Sequence, residues 1–240
     1  MPTKSTKTDA LTIPIESQFL VPTEDLGFTA DDFGGDDEAI TYKDLDRIAW
    51  PASGGRAWEV EELDEIVSMS EMEVVVLHSH VSRSYFAASY DEGGEGPPEC
   101  SSMFGKQGIG VPGNRCIACP KAQFQDDERP ECRERRTLYV LFPGDMLPRI
   151  LSIPPTSMRE WDRFYSKLKK KRVPCWGYVL KFSLEKGKTK GGNPYSKLII
   201  SASRPVTEDE KKRIRELRGP FMESINSAAE DELGGTAVVE

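Results

Sequence analysis

The sequence predicts a mainly β protein with helices, and three features of its pattern lead to that prediction. Five segments carry apolar runs, or alternate apolar with polar residues, as β-strands do. An amphipathic helical segment lies between the third and the fourth of them, and turns rich in Gly and Pro separate the segments. The predicted strands are 73–86, 136–142, 148–153, 176–184 and 195–203. Their order is that of an OB-like five-stranded barrel with a long insertion between strands 1 and 2.

Two capping boxes mark the predicted helices. In a capping box, a Ser or Thr and a Glu three residues later bond each other's backbone N–H groups at the start of a helix. Ser157 with Glu160 opens the first helix, which we expect to run to about Lys170. Thr207 with Glu210 opens a second, basic helix that reaches Gly219-Pro220. The first helix belongs to the barrel, and the second follows it.

Composition divides the 240 residues into four predicted parts. Only 38% of the residues are hydrophobic, which indicates one modest core and some disordered chain. The parts are a disordered acidic N-terminal arm (1–40), an OB-like core (41–205) that includes the insertion 98–133, a helical extension (206–228) and an acidic tail (229–240).

The four cysteines of the insertion form the most specific motif in the chain. Their spacing is C-x15-C-x2-C-x12-C, built from Cys100, Cys116, Cys119 and Cys132. The central pair forms a knuckle that sets two thiolates on one tight turn, and tetrahedral zinc takes four such ligands. A closed set of four leaves no open coordination position, so the prediction is a structural Zn²⁺. An iron–sulfur cluster, a redox pair and coincidental buried cysteines are the alternatives, and Cys175 is expected to be core.

Charge is strongly segregated along the chain, although the formal net charge is only -8. Residues 133–218 hold 22 basic and 9 acidic side chains, whereas residues 1–66 hold 16 acidic and 5 basic ones. Residues 219–240 hold 5 acidic and no basic side chains. This pattern favours a polyanion-binding core between acidic arms. A solvated surface with unevenly distributed charge is the other interpretation.

Aromatic residues accompany the cations, as in grooves that bind single-stranded nucleic acid, where bases stack on aromatic rings. His78 and His80 share one face of the first strand, where ordinary strand side chains, metal ligands and base contacts are all open interpretations. The predicted nucleic-acid contacts are Arg83, Tyr85, Arg133, Arg135, Arg136, Tyr139, Lys181, Lys186, Lys188, Lys190, Tyr195 and Lys197.

The basic core, the barrel order and the acidic carboxy-terminus together resemble the phage single-stranded DNA-binding proteins of replication and recombination. That resemblance implies an OB-fold, a zinc element and an acidic carboxy-terminal region. One departure is the ligand set, since a phage member uses three cysteines and a histidine where this chain offers four cysteines. The segments 97–102, 116–120 and 147–157 also look like those of uncharacterised proteins of phages and mobile elements, which indicates a setting and transfers no function.

The predicted function is a non-enzymatic single-stranded DNA-binding protein for phage or plasmid replication or recombination. A zinc-stabilised protein–protein adapter of a replication or transcription complex is one alternative, and a metal-dependent nucleic-acid enzyme is another. The acidic tail is a candidate contact for replication or recombination proteins. No apolar run approaches the roughly 20 residues of a membrane span, and Met1–Ala10 lacks the apolar region of a secretory signal. We therefore expect a cytoplasmic location in a bacterial host, without a membrane partner.

Overall fold

The computed structural model describes most of the chain from Leu45 onwards. The predicted N-terminal arm, Lys190 and the last six residues of the predicted tail lie outside the described residues. The described ranges are 45–62, 65–87, 96–125, 129–189 and 191–234.

The fold is mainly β with two helices, as predicted, and its main sheet curls into half a barrel. A separate hairpin of two short strands, β2–β3, was not predicted. The strands are β1 (Arg47–Ile48), β2 (Trp58–Glu61), β3 (Ile66–Met69), β4 (Glu71–Tyr85), β5 (Cys100–Ser102), β6 (Ile109–Gly110), β7 (Arg133–Leu141), β8 (Arg149–Ile153), β9 (Tyr178–Lys188) and β10 (Pro194–Pro205). The helices are α1 (Pro155–Lys170) and α2 (Glu208–Gly234).

Strand β4 organises the sheet because two different strands, β9 and β5, pair with the two ends of one of its edges. Along its other edge it pairs antiparallel with β7, which pairs antiparallel with β8. The first residues of β4 pair with β9, and β9 pairs with β10. Its last residues pair with β5. Strand β1 adds to β8 in parallel, and no pairing joins β8 to β10 within the described ranges, so the sheet stays open there.

The main core fills the concave side of this sheet. Leu138, Leu151, Leu180 and Phe182 from three different strands are fully buried together with Trp161 from α1. Each such side chain contributes about 1.5–3 kcal/mol by leaving water. The core therefore depends on strands β7, β8 and β9 closing around the α1 helix.

Helix α1 begins two residues before the predicted N-cap. Pro154 takes the cap position and Pro155 the first helical position, where the missing N–H costs nothing. Ser157 is therefore inside the first turn and fully buried. Its hydroxyl donates to the Ser196 carbonyl at 3.2 Å and accepts from the Leu198 N–H at 3.0 Å. The predicted capping box is wrong here because this hydroxyl bonds to β10 instead.

Helix α2 confirms its capping box. The Thr207 N–H donates to Glu210 Oε2 at 2.8 Å, and the Glu210 N–H donates to Thr207 Oγ1 at 3.3 Å. The helix continues through Pro220 to Gly234, so its last turn and a half lies in the segment predicted as acidic tail. Ile225 and Ala229 beyond the proline are buried, and this burial explains why the helix does not end there.

Candidate metal centre and basic surfaces

The cysteines lie in an insertion between two paired strands, which we call the cysteine element (described residues 96–125 and 129–132). Its ends meet, because Ser84 of β4 and Arg133 of β7 are register partners. Strand β5 extends the sheet along the end of β4, where Cys100 pairs with Tyr85. The position of the first cysteine is therefore fixed by the sheet.

The knuckle forms two successive tight turns. Residues Cys116–Ala118 and Pro120–Ala122 each make one 3-10 turn, and the Cys119 N–H donates to the Cys116 carbonyl at 3.4 Å. The Cys132 N–H donates to the Lys121 carbonyl at 2.8 Å, which holds the fourth cysteine beside the knuckle. The backbone thus brings the two outer cysteines to the central pair.

One small cavity collects all four predicted ligands. Cys100, Cys116, Cys119 and Cys132 line it, and it has room for about one water-sized sphere. Gly108 packs so closely that a Cβ atom there would lie 2.6 Å from the Cys100 Sγ. All five cysteines of the chain are free thiols. The predicted quartet therefore shares one ion-sized space.

The side chains do not form a finished coordination sphere. Among the residues that the structure describes, no group of three or more His, Cys, Asp or Glu side chains has the arrangement that holds a metal ion. The pKa of the Cys116 and Cys132 thiols is raised by burial. The nearby Arg83 guanidinium offsets only part of that rise. A metal that binds here must displace thiol protons, so its affinity will depend on pH.

The fifth cysteine and the two histidines lie away from this cavity. Cys175 belongs to the main core, as predicted, and its thiol contacts the Leu77 carbonyl at 3.7 Å. The His78 ring stacks with Tyr139 at a ring-centroid distance of 6.1 Å, and the His80 ring contacts Tyr139 at a tilt, with a centroid distance of 5.5 Å. These histidines therefore pack in an aromatic cluster.

The predicted nucleic-acid contacts on the cysteine side are partly neutralised. The Arg83 side chain pairs with Glu134, and Arg136 pairs with Asp162 at 2.8 Å. Arg133 is exposed. Arg135 is half-buried, and its pKa is lowered by burial and by the neighbouring positive charge of Arg133. These four arginines are the cysteine-side cations.

Two of the tyrosines predicted to contact nucleic acid are buried. Tyr139 is 1% exposed and makes an edge contact with Phe221, so the prediction that it stacks on a base is wrong. It lies on the face of β7 that α2 covers, and the sequence carried no sign of that contact. Tyr85 is 9% exposed, and the Lys121 ammonium lies 5.2 Å from its ring centroid.

A second basic group lies on the β9–β10 hairpin. Lys186 and Lys188 are exposed, whereas Lys181 pairs with Glu71 at 2.7 Å and Lys197 lies 3.8 Å from Glu160. We call these four lysines the hairpin cations. Tyr195 is half-buried, with its ring over its register partner Gly187, where a Cβ atom would come within 2.6 Å of the ring.

The two basic groups lie at opposite ends of β4. The hairpin joins β4 at residues 71–74, and the cysteine-side cations lie at or opposite residues 81–84. Along the strand this separation is on the order of 30 Å. The basic block of the sequence is therefore divided between two surfaces.

Sequence reasoning missed two features of the cysteine element. Its surface exposes Ile109, Val111, Ile117 and Phe124, each more than 60% accessible. Its loop 102–107 also bonds Glu232 of α2, a contact more than 120 residues apart in sequence. The isolated apolar residues showed no periodicity that would have marked them as exposed, and no local pattern links the loop to the helix.

Comparison with family models, with curated protein sequences and with solved structures gave no significant match. Neither helix of the described chain has the length and hydropathy that a membrane span requires.

Proposed function

We propose that this protein is a non-enzymatic single-stranded DNA-binding protein of phage or plasmid replication or recombination. The observation that carries the proposal is the strand pairing. Strands β4, β7 and β8 form a meander, β9 returns to the first half of β4, and β10 follows it. Helix α1 connects β8 to β9. An OB-fold has the same order and the same position for its helix.

The open edge of the sheet is compatible with an OB-like core. An OB barrel is itself only partly closed. Here α1 bridges the open seam, since Ser157 follows β8 in the chain and bonds to β10. The fully buried Trp161 fills the interior beneath that seam. We propose that helix and sheet together make the compact support for a binding face.

The hairpin cations support the nucleic-acid part of the proposal. In OB-folds the loop between the fourth and the fifth strand of the barrel binds oligonucleotides. The corresponding loop of this protein joins β9 to β10. Lys186 and Lys188 are exposed beside it, and the ring of Tyr195 is half-accessible. Cations bind the phosphate backbone, and aromatic rings stack on bases.

The cysteine element supports a structural Zn²⁺. Four cysteine sulfurs line the cavity, with no histidine, aspartate or glutamate among the described residues around it, and four thiolates are the donor set of a closed zinc site. Cys100, Cys116, Cys119 and Cys132 would hold the ion, and the ion would stabilise an element that has few buried apolar side chains. Zinc would thereby order the loop beside β4.

The test is titration of the full chain with labelled oligo-dT at two salt concentrations. The double variant K186A/K188A should bind more weakly, and its log–log salt slope should fall by about 0.7 for each phosphate that the lysines no longer neutralise. The matched control is K170A/K171A, which removes the same charge from exposed lysines at the end of α1. No binding by the wild type at low salt, or equally weakened binding by both variants, would contradict the proposal.

The exposed apolar residues of the cysteine element favour a second candidate, a zinc-stabilised protein–protein adapter. Ile117 is 85% exposed and Phe124 is 75% exposed. Exposed apolar side chains mark an interaction site where they form one contiguous patch. Partners that survive nuclease treatment in a pull-down, and that no longer bind the variant I117S, would favour the adapter over the DNA-binding protein.

A further inference from the structure

A single carboxylate from α2 is enclosed by a loop of the cysteine element. Glu232 is 7% exposed. Five groups of the loop 102–107, which we call the amide nest, donate hydrogen bonds to its two oxygens. The donors are Ser102 Oγ at 2.6 Å and the backbone N–H groups of Met103, Phe104, Lys106 and Gln107 at 2.7, 3.0, 3.3 and 3.2 Å.

The backbone itself creates this anion site. Gly105 adopts φ +67° in the middle of the loop, and this turns the N–H groups on either side towards one point. A side chain at Gly105 would also approach Val81 to 3.1 Å. Successive N–H groups in such a conformation form the concave anion sites that occur in many phosphate-binding loops. The amide nest therefore has the construction of an oxyanion site.

The nest recognises oxygen atoms and not the carboxylate group as such. Within the described ranges no lysine or arginine forms an ion pair with Glu232. Its charge is met by backbone dipoles and one hydroxyl. A phosphate group also presents two or more acceptor oxygens and carries at least one negative charge. Both anions satisfy the same donors.

The loop that forms the nest is fixed to the cysteine element, whereas the carboxylate that fills the nest can be replaced by another anion. The Cys116 N–H donates to the Lys106 carbonyl at 2.9 Å, and the Gly108 N–H donates to the Asn114 carbonyl at 2.9 Å, so the loop is fixed to the cysteine element. The end of α2 is held by Ala229 and Glu232, while Glu230 and Asp231 between them are exposed. Without an anion, four backbone N–H groups would lose these hydrogen bonds, which is unfavourable for buried donors.

We propose that the amide nest is a phosphate-binding site, which Glu232 occupies when no phosphate group is bound. A phosphate group and the end of α2 then compete for the same donors. The site stands independently of the proposed function; only the source of the phosphate group, a DNA backbone or the free anion, rests on it.

The experiment follows the backbone amide resonances of Met103–Gln107 in the full chain during titration with inorganic phosphate, with chloride as the ionic-strength control. The variant E232A should show saturable shifts at these amides. The wild type and E230A, which removes an exposed carboxylate of the same helix, should need at least about ten times more phosphate, the size of a typical coupling between competing ligands. Absence of saturable shifts in E232A, or equal titrations in all three proteins, overturns the proposal.

Two further arms complete the test. If E232A loses its dispersed spectrum, recovery on addition of phosphate supports the site, and no recovery overturns it.

Oligo-dT binding by E232Q and E230Q, which lose the same charge, then identifies the source of the phosphate group. About tenfold tighter binding by E232Q alone assigns the DNA backbone, and equal affinities assign the free anion. A wild type that binds no oligo-dT while E232A takes up phosphate removes the proposed function and leaves the site intact.

Discussion

The surroundings of the five cysteines separate one of them from the rest. Cys175 lies among apolar core side chains, and burial raises the pKa of its thiol. The other four line one cavity in which Arg83 supplies a positive charge. Soft donors around an ion-sized space favour metal binding, whereas a single buried thiol favours packing.

Replacing one ligand should therefore abolish the zinc content. Wild-type protein purified without chelator should carry one zinc per chain, and C116S should carry none, because three thiolates lack the fourth donor of a closed site. The control is C175A, which should keep its zinc. Elemental analysis by mass spectrometry measures the stoichiometry, and iron with sulfide in place of zinc would identify a cluster instead.

The protonation of His80 makes the stability of the fold depend on pH. Its ring lies 4.7 Å from that of Phe104, and burial, assisted by His78, lowers its pKa from 6.5 to about 4. A histidine with a lower pKa in the folded state binds its proton more tightly when unfolded. Protonation therefore destabilises the fold as the pH falls from about 6.5 to about 4.

The variant H80F should make stability less dependent on pH. We expect the wild type to lose on the order of 2 kcal/mol of unfolding free energy between pH 7 and pH 5 through this residue. Urea titrations at both pH values, with zinc equal in all samples, measure the difference. An identical decrease in wild type and H80F would show that another group is responsible.

Individual side chains also show where sequence prediction ends. That the four cysteines meet at one cavity was predictable from their spacing, while the metal itself stays a prediction. Tyr139 was assigned to a binding face because alternation gives two faces and does not say what covers them. Helix α2 covers that face, and its Phe221 contacts the ring. A contact between residues so far apart in sequence leaves no local pattern.

At the scale of elements, strands with strong alternation were predictable and short ones were not. The predicted strand 176–184 corresponds to β9, with Leu180, Phe182 and Leu184 buried on one side. Strands β5 and β6 are only three and two residues long, and their pairing follows from β4, since β5 pairs with β4 and β6 pairs with β5. The first capping box failed because Ser157 has a tertiary partner, which competes with the helix terminus for the same hydroxyl.

The bond between α1 and β10 can be tested through Ser157. The variant S157A leaves the Leu198 N–H without its partner in a buried position, which costs about 1–3 kcal/mol. S166A is the control, because Ser166 lies exposed on the same helix and its replacement gains the same helix propensity. Chemical denaturation measures both, and equal midpoints for the two variants would contradict this role.

At the scale of the whole molecule, the charge pattern of the sequence is only partly preserved. The strands distribute the basic block over two surfaces, and acidic neighbours pair with several of its cations, among them Arg136, Arg149 and Lys181. Net charge along a chain does not determine which side chains become neighbours. The mainly β fold with a helix between two strands was predictable because the long strands and both helices each carried their own signal.

The meeting of Ser84 and Arg133 has a consequence for how such a protein changes. Because the two residues face each other across a hairpin, whatever chain joins them can be exchanged without altering the registration of the strands. Joining them through an Asn-Gly turn should give a shortened chain that still unfolds in one cooperative step. The cysteine element is, in that sense, a separable module, and the paired strands should keep their register without it.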